Sequence, residues 1–231
     1  MSVPKPGTGG QRPRRTQAER SDAMRRRVLD ATLECLQKDG YARTTVGRII
    51  EVAGVSRGAP LHHFPSKSAL IAAAAERLIR RTYIQMGKAV ASLQGSEDRL
   101  HDLIYSAWKN VFNRPEHVAL HELLVASQRD TELAAILQKV WTAGYFTLGN
   151  AADHYLEPTR PTVNVRKMMM LTQWLLRGMA LDLHIVADRK LFDRYLKLWC
   201  EMLALHLRAR AGVSAPPPRP PHWDSSLGID A

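Results

Sequence analysis

Cysteine is scarce in this chain: two in 231 residues, Cys35 and Cys200. That excludes a disulfide-stapled scaffold, and each cysteine sits inside an apolar helical pattern, so both read as buried free thiols rather than a disulfide or metal pair. No apolar stretch reaches the roughly 18 residues of a membrane span, so no membrane partner is expected. The basic opening MSVPKPGTGGQRPRRTQAER is followed by no apolar h-region, so a cytoplasmic rather than a secreted protein is expected. Sustained period-two alternation is also missing, which argues against a strand-built fold. Acidic residues are outnumbered, 22 Asp+Glu against 33 Lys+Arg, for a formal net charge of +11. The excess is uneven: residues 1–70 hold 13 Lys/Arg against 6 Asp/Glu, and the remainder 20 against 16. Such an end suits a polyanionic partner, although basicity alone also fits a merely solubilising arm.

What is present is helical periodicity over a chain that is 45% apolar, enough for a buried core. Residues 1–20 read as a flexible basic arm and 212–231 as a disordered, proline-rich tail. Met24, Val28, Ala31, Cys35 and Leu36 recur at helical spacing and predict a first helix over about 21–38, stopped at Gly40. Thr44 reads as the N-cap of a second helix carrying Val46, Ile49, Ile50 and Ala53, which Gly54 ends. Ser56 can cap a short third helix and Ser66 a long fourth, over about 67–93, long enough to bridge two domains. Further helices are expected near 97–113, 115–128, 130–155, 163–187 and 189–210. The class is all-α.

Helix, tight glycine turn and short helix make a helix-turn-helix, whose second helix can enter the DNA major groove. Gly54 takes the positive φ of the corner, and Ile49 and Val55 pack inside it. Short side chains at Ser56, Gly58 and Ala59 allow close approach, and Arg57, His62 and His63 supply donors to bases and phosphates. Lys67 and the amides opening the fourth helix suit another phosphate.

These residues resemble the TetR family of transcriptional regulators. The likeness rests on DGYARTTV, AGVSRG and HHFPSK in that order. It is spread over Ala31, Gly40, Tyr41, Thr44, Thr45, Val46, Ile49, Ala53, Gly54, Val55, Ser56, Gly58, His63, Phe64, Ser66, Lys67 and Leu70, within about residues 21–75. The DNA-facing set is then Thr44, Thr45, Ser56, Arg57, Gly58, Ala59, Leu61, His62, His63 and Lys67. Two features depart from the family's habit. Ile50 stands where a small residue is common, and Pro60 and Leu61 stand where an apolar residue and a tyrosine are common, so Leu61 lacks a phosphate-binding hydroxyl.

The resemblance implies a three-helix head over 21–81, joined by a long helix to a helical effector-binding and dimerisation domain over 82–211. It also implies a repressor on a palindromic, double-stranded DNA operator. Two stripes on 189–210 give independent support for a homodimer. One is Leu191, Tyr195, Leu198, Met202 and Leu205; the other is Phe192, Leu196, Trp199 and Leu203. Two stripes need two burial partners, one of them a second subunit, to which Leu175 and Met179 would also contribute. Trp108, Phe112, His121, Glu122, Trp141, Tyr145, Met169 and Trp174 are candidates to line a pocket for a small apolar or amphipathic effector, though residues of this kind also build plain cores. His117 and His121 lie four apart, but position 125 is Val and no H-E-x-x-H pattern forms, so no metal and no cofactor is expected. No nucleophile–base pair, metal cluster or phosphate loop marks an enzyme. The alternatives are a DNA-binding protein without an effector and, further off, a helical enzyme.

Overall fold

The computed structural model describes residues 16–58, 63–91, 96, 98–213, 215 and 217–218. The expected arm up to Arg15, positions Ala59, Pro60, Leu61 and His62, and the tail beyond Pro218 lie outside the described residues.

Helix α1 (Gln17–Arg43) starts earlier than the periodicity suggests, because Thr16 and Glu19 form a reciprocal capping box. Its last turn is broken at Gly40, whose φ of 76° and ψ of 170° are not helical. Helix α2 (Val46–Ala53) is capped by Thr45, whose hydroxyl accepts from the Arg48 N–H at 3.1 Å. Thr44, expected in that role, is fully buried and donates its hydroxyl to the Gly40 carbonyl at 2.8 Å. Adjacent threonines satisfy the same capping chemistry, and the break at Gly40 decides between them by turning Thr44 inward.

Helix α3 (Lys67–Ala91) opens where Ser66 accepts from the Ala69 N–H at 3.0 Å. Helix α4 (Arg99–Ala107) runs into a π-helical turn (Trp108–Phe112), in which Asn113 N donates to Trp108 O at 2.8 Å. Helices α5 (Pro115–Ala126), α6 (Thr131–Tyr155), α7 (Val165–Asp182) and α8 (Arg189–Ala204) follow. The helix expected over 189–210 ends at Ala204. Strand β2 (Leu207–Ala209) then pairs antiparallel with β1 (Leu156–Pro158), so a two-stranded clip closes the otherwise helical body.

Two apolar cores form. The first gathers Val28, Leu29, Leu36, Ile49, Ala53, Phe64, Leu70 and Ala74 of the head with Ala119, Leu120 and Leu123 of α5 and Leu133 and Leu137 of α6. It therefore crosses the sequence position at which the head is expected to end. The second holds Leu103, Ile104, Trp108, Phe112, Leu156, Leu176, Phe192, Leu196 and Leu203. Cys35 lies in the first core and Cys200 in the second, both as free thiols. Burial pushes the Cys200 thiol up to about 11, which leaves it protonated and inert. Among the described residues no helix is long and apolar enough to cross a membrane.

Candidate nucleic-acid interface

The corner after α2 is built on backbone geometry. Gly54 adopts φ 58° and ψ 47°, the left-handed conformation that a side chain disfavours, and its N–H returns to Glu51 O. A Cβ there would also stand 2.9 Å from Arg27 Nη2. Val55 N then donates to Ile50 O at 3.3 Å, tying off the helix before the chain reverses. Ile50, at a position where the family favours a small residue, is half-buried here.

Beyond the corner Ser56, Arg57 and Gly58 are exposed, and a Cβ at Gly58 would meet nothing within 4 Å. Gly58 and His63 are both helical, one on each side of the positions outside the described residues. Thr45 is exposed at the start of α2. Phe64, directly after His63, is buried in the first core with the Arg25 guanidinium 5.6 Å from its ring centroid, and it anchors the far end of the segment.

The head is braced from behind. Asp30 on α1 accepts from Arg77 Nε at 3.0 Å and from Arg81 Nη2 at 2.6 Å, which joins α1 to α3. Arg48 Nε donates to Asp39 Oδ2 at 2.9 Å and holds α2 against the end of α1. At the seam with the body, Tyr41 N donates to Glu122 Oε2 at 2.9 Å, and Tyr41 Oη donates to Asp130 Oδ2 at 2.7 Å. Burial and then the Asp130 bond push the Tyr41 hydroxyl up to about 12, so it stays a donor. The Leu133 amide and then the Tyr41 hydroxyl hold the Asp130 carboxyl below its usual range.

Several expected site residues are placed differently. Thr44 is buried, as described, and offers no side chain to a groove. The Lys67 ammonium lies 5.0 Å from the Tyr41 ring centroid and so serves the seam between head and body. Glu122, expected in a pocket, is the seam's acceptor. Trp174, also expected there, is 53% exposed, and Trp141 is exposed on α6 with Tyr145 stacked on it at 5.4 Å. Trp108 and Phe112 are buried in the second core, with Met169 packed against it, and His121 is half-buried.

On α8 the two expected stripes separate. Phe192, Leu196 and Leu203 are buried and Trp199 is half-buried, whereas Tyr195, Leu198, Met202 and Leu205 are exposed and Leu191 is half-covered. On α7 the exposed apolar residues are Leu171, Trp174 and Leu181, not the expected Leu175 and Met179. Those two are half-buried, and Met179 packs on the second core. The apolar composition of α7 covers more than one face, and periodicity could not choose between them.

Known proteins match both head and body. Residues 28–74 match the sequence profile of the bacterial regulatory proteins of the tetR family. The chain carries a TetR-type head. Its TetR-type head is therefore the α1–α2 corner, the segment through His63 and the start of α3. The HTH-type transcriptional regulator CymR of Pseudomonas putida is 32% identical over 126 residues, which cover 54% of this chain and 62% of that protein. The match thus spans about three fifths of the relative's length. In fold, the chain is similar to a TetR transcription regulator from Haloarcula marismortui, with TM-score 0.63 and 18% identity over 81% of this chain and 100% of that one. It is also similar to a transcriptional regulator from Saccharomonospora viridis in complex with choline, with TM-score 0.60 and 16% identity over 81% of this chain and 99% of that one. Each of these is named as a regulator of transcription.

Proposed function

We propose that this chain is a sequence-specific DNA-binding transcriptional regulator that acts as a homodimer on a palindromic operator and is released by a small organic effector. The observation that carries the DNA-binding reading is the left-handed Gly54 corner, followed by the exposed and unobstructed Ser56–Gly58 surface. A basic head of this shape offers phosphate contacts that position it and base contacts that specify a sequence. In this reading Thr45, Ser56, Arg57, Gly58 and His63 face DNA, together with Ala59, Leu61 and His62, which lie outside the described residues. Thr44 is buried behind them and bonded to Gly40. Arg12, Arg14 and Arg15 of the arm add phosphate or minor-groove contacts.

The exposed apolar residues of α7 and α8, too many for a face left to water, support the homodimer. Pairing both helices with their copies across a two-fold axis buries them in a four-helix interface. Binding a palindromic operator then requires the two corners to sit about one DNA turn apart, roughly 34–36 Å. The TetR resemblance adds repression as the output, and the choline complex of a structural neighbour fits a body that holds small molecules. A regulator of this kind works in the cytoplasm.

The test is fluorescence anisotropy on DNA from upstream of the chain's own gene, with salt varied. The expected result is nanomolar binding whose logarithm falls linearly with the logarithm of salt, and weaker binding with a shallower slope for Arg57→Ala. Binding indifferent to salt and to Arg57→Ala overturns the reading.

A further inference from the structure

Where α5 faces the second core, polar groups meet in an apolar interior. His117 is 5% exposed, and its ring lies edge-on to His121 at 4.7 Å and to Phe112 at 4.8 Å. The Nε2 atoms of both histidines are buried and have no hydrogen-bond partner among the described residues. Unsatisfied interior polar atoms are rare in native proteins, and each calls for an explanation. The guanidinium of Arg177, on α7, is close enough to act on both rings.

The chemistry of the group sets what it can accept. Burial first, then His121 and Arg177, push the His117 imidazole down to about 3, and burial and Arg177 lower His121 as well. Both rings are therefore neutral, and among the described residues no carboxylate acts on either. A neutral imidazole can present Nε2–H, and arginine only donates. The cluster is rich in donors, which disfavours a metal cation. Among the described residues no three His, Cys, Asp or Glu side chains group to hold one. The walls are apolar: Phe112 touches His117, and Trp108 stacks on Phe192 at 5.6 Å. Trp108 and Phe112 bound the π-helical turn, a feature enriched at functional sites. Apolar walls with a few convergent polar groups describe an organic-ligand site.

We infer that His117, His121 and Arg177 form the polar end of the effector site and take the carboxylate of a small apolar or aromatic organic acid. The carboxylate accepts from the two Nε2–H groups and pairs with the guanidinium, while the apolar body packs against Phe112 and its neighbours. An inorganic anion would lack that second half and would enter the apolar interior fully hydrated or not at all. This inference rests on the reading of the chain as an effector-responsive regulator. Its test reads ligand binding by the free protein, so a chain that binds the acid but no DNA breaks that reading and leaves this one standing.

The experiment is thermal unfolding and histidine ring NMR of the full chain with benzoate, and with benzamide as its neutral match. Benzoate in the millimolar range is expected to raise Tm and move the His117 and His121 ring signals, and benzamide to do neither. Arg177→Gln should weaken benzoate binding at least tenfold. His121→Leu and His117→Phe remove atoms that are unsatisfied without ligand, so each should abolish the benzoate response while raising the free protein's Tm by about 2–4 °C. Equal responses to benzoate and benzamide, or no response to benzoate, overturn the inference. So does a Tm that falls in both histidine variants, the outcome expected if trapped water satisfies both rings.

Discussion

Replacing Gly40 by alanine probes the seam between head and body at its tightest point. The backbone there, φ 76° and ψ 170°, lies in a region that is essentially glycine-only and costs another residue roughly 1–3 kcal/mol. An added Cβ would stand 2.9 Å from Glu122 Oε2. That atom is the far end of a flexible side chain, so it can swing away, but it then gives up the Tyr41 N–H. A hydrogen bond to a charged acceptor is worth about 1.5–3 kcal/mol, and at this half-buried site, where water can reach both partners, the lower end applies. Together the two effects predict a loss of roughly 3–4 kcal/mol, or a fall in Tm of about 6–15 °C for a chain of this size.

Urea unfolding followed by tryptophan fluorescence, at one fixed protein concentration, measures this loss. The decisive measurement is the cycle with Glu122→Ala. Removing the carboxylate relieves the collision but not the backbone strain, so the double variant should be more stable than the sum of the singles predicts, by about 1.5 kcal/mol. A Gly40→Ala loss below about 0.5 kcal/mol, or strict additivity with Glu122→Ala, would refute the reasoning.

Thr45→Ala removes the cap of α2 and should cost about 1 kcal/mol by urea unfolding, whereas an equal or smaller effect than Thr45→Gly would count against a capping role. Leu198→Glu places a charge on the exposed stripe of α8; light scattering should find half the mass of the unsubstituted protein, with helicity retained, and an unchanged mass rules out this face. His117, held down at about 3 while an unfolded histidine titrates near 6.5, makes the unfolded chain take up the proton first. Its contribution is intact above about pH 6.5 and is lost as the pH falls toward 3, at up to about 1.4 kcal/mol per unit; stability that stays level between about pH 7 and 5.5, or a slope unchanged by His117→Phe, disproves it.

Local signals made much of the head legible. Gly40 and Gly54 are readable as stops because positive φ is a property of a single residue, and Ser66 as a cap because its acceptor reaches only three residues ahead. Thr44 and Thr45 could not be told apart, since their difference lies in which one the Gly40 break buries. The π-helical turn gave no signal: Ala107 with Trp108 and Val111 with Phe112 look like ordinary helix positions until the extra residue in the turn is seen. Strand β2 is three residues long, too short for alternation to show. The role of Glu122 depends on Tyr41, 81 positions away, and no periodicity records such a pairing. His117 and His121 were visible as a spaced pair, but their lack of partners is a property of the packed interior.

Helix α5 brings the two proposed activities into one element. Ala119, Leu120 and Leu123 pack in the core of the head, Glu122 holds Tyr41, and His117 and His121 lie toward the second core beside Arg177. A rigid helix between two packed cores cannot accept a ligand on one side without shifting against the other, because interiors at crystal-like density do not absorb a displacement. Within the head, Asp30 ties α1 to Arg77 and Arg81 of α3, so these two helices would move together. In the proposed two-fold dimer, a displacement of α5 would carry the corner with it and change the distance between the two corners. The requirement on the ligand is modest. A coupling of about 1–3 kcal/mol needs only a roughly 5- to 150-fold preference for the displaced state, and by linkage the operator must weaken the ligand by the same factor.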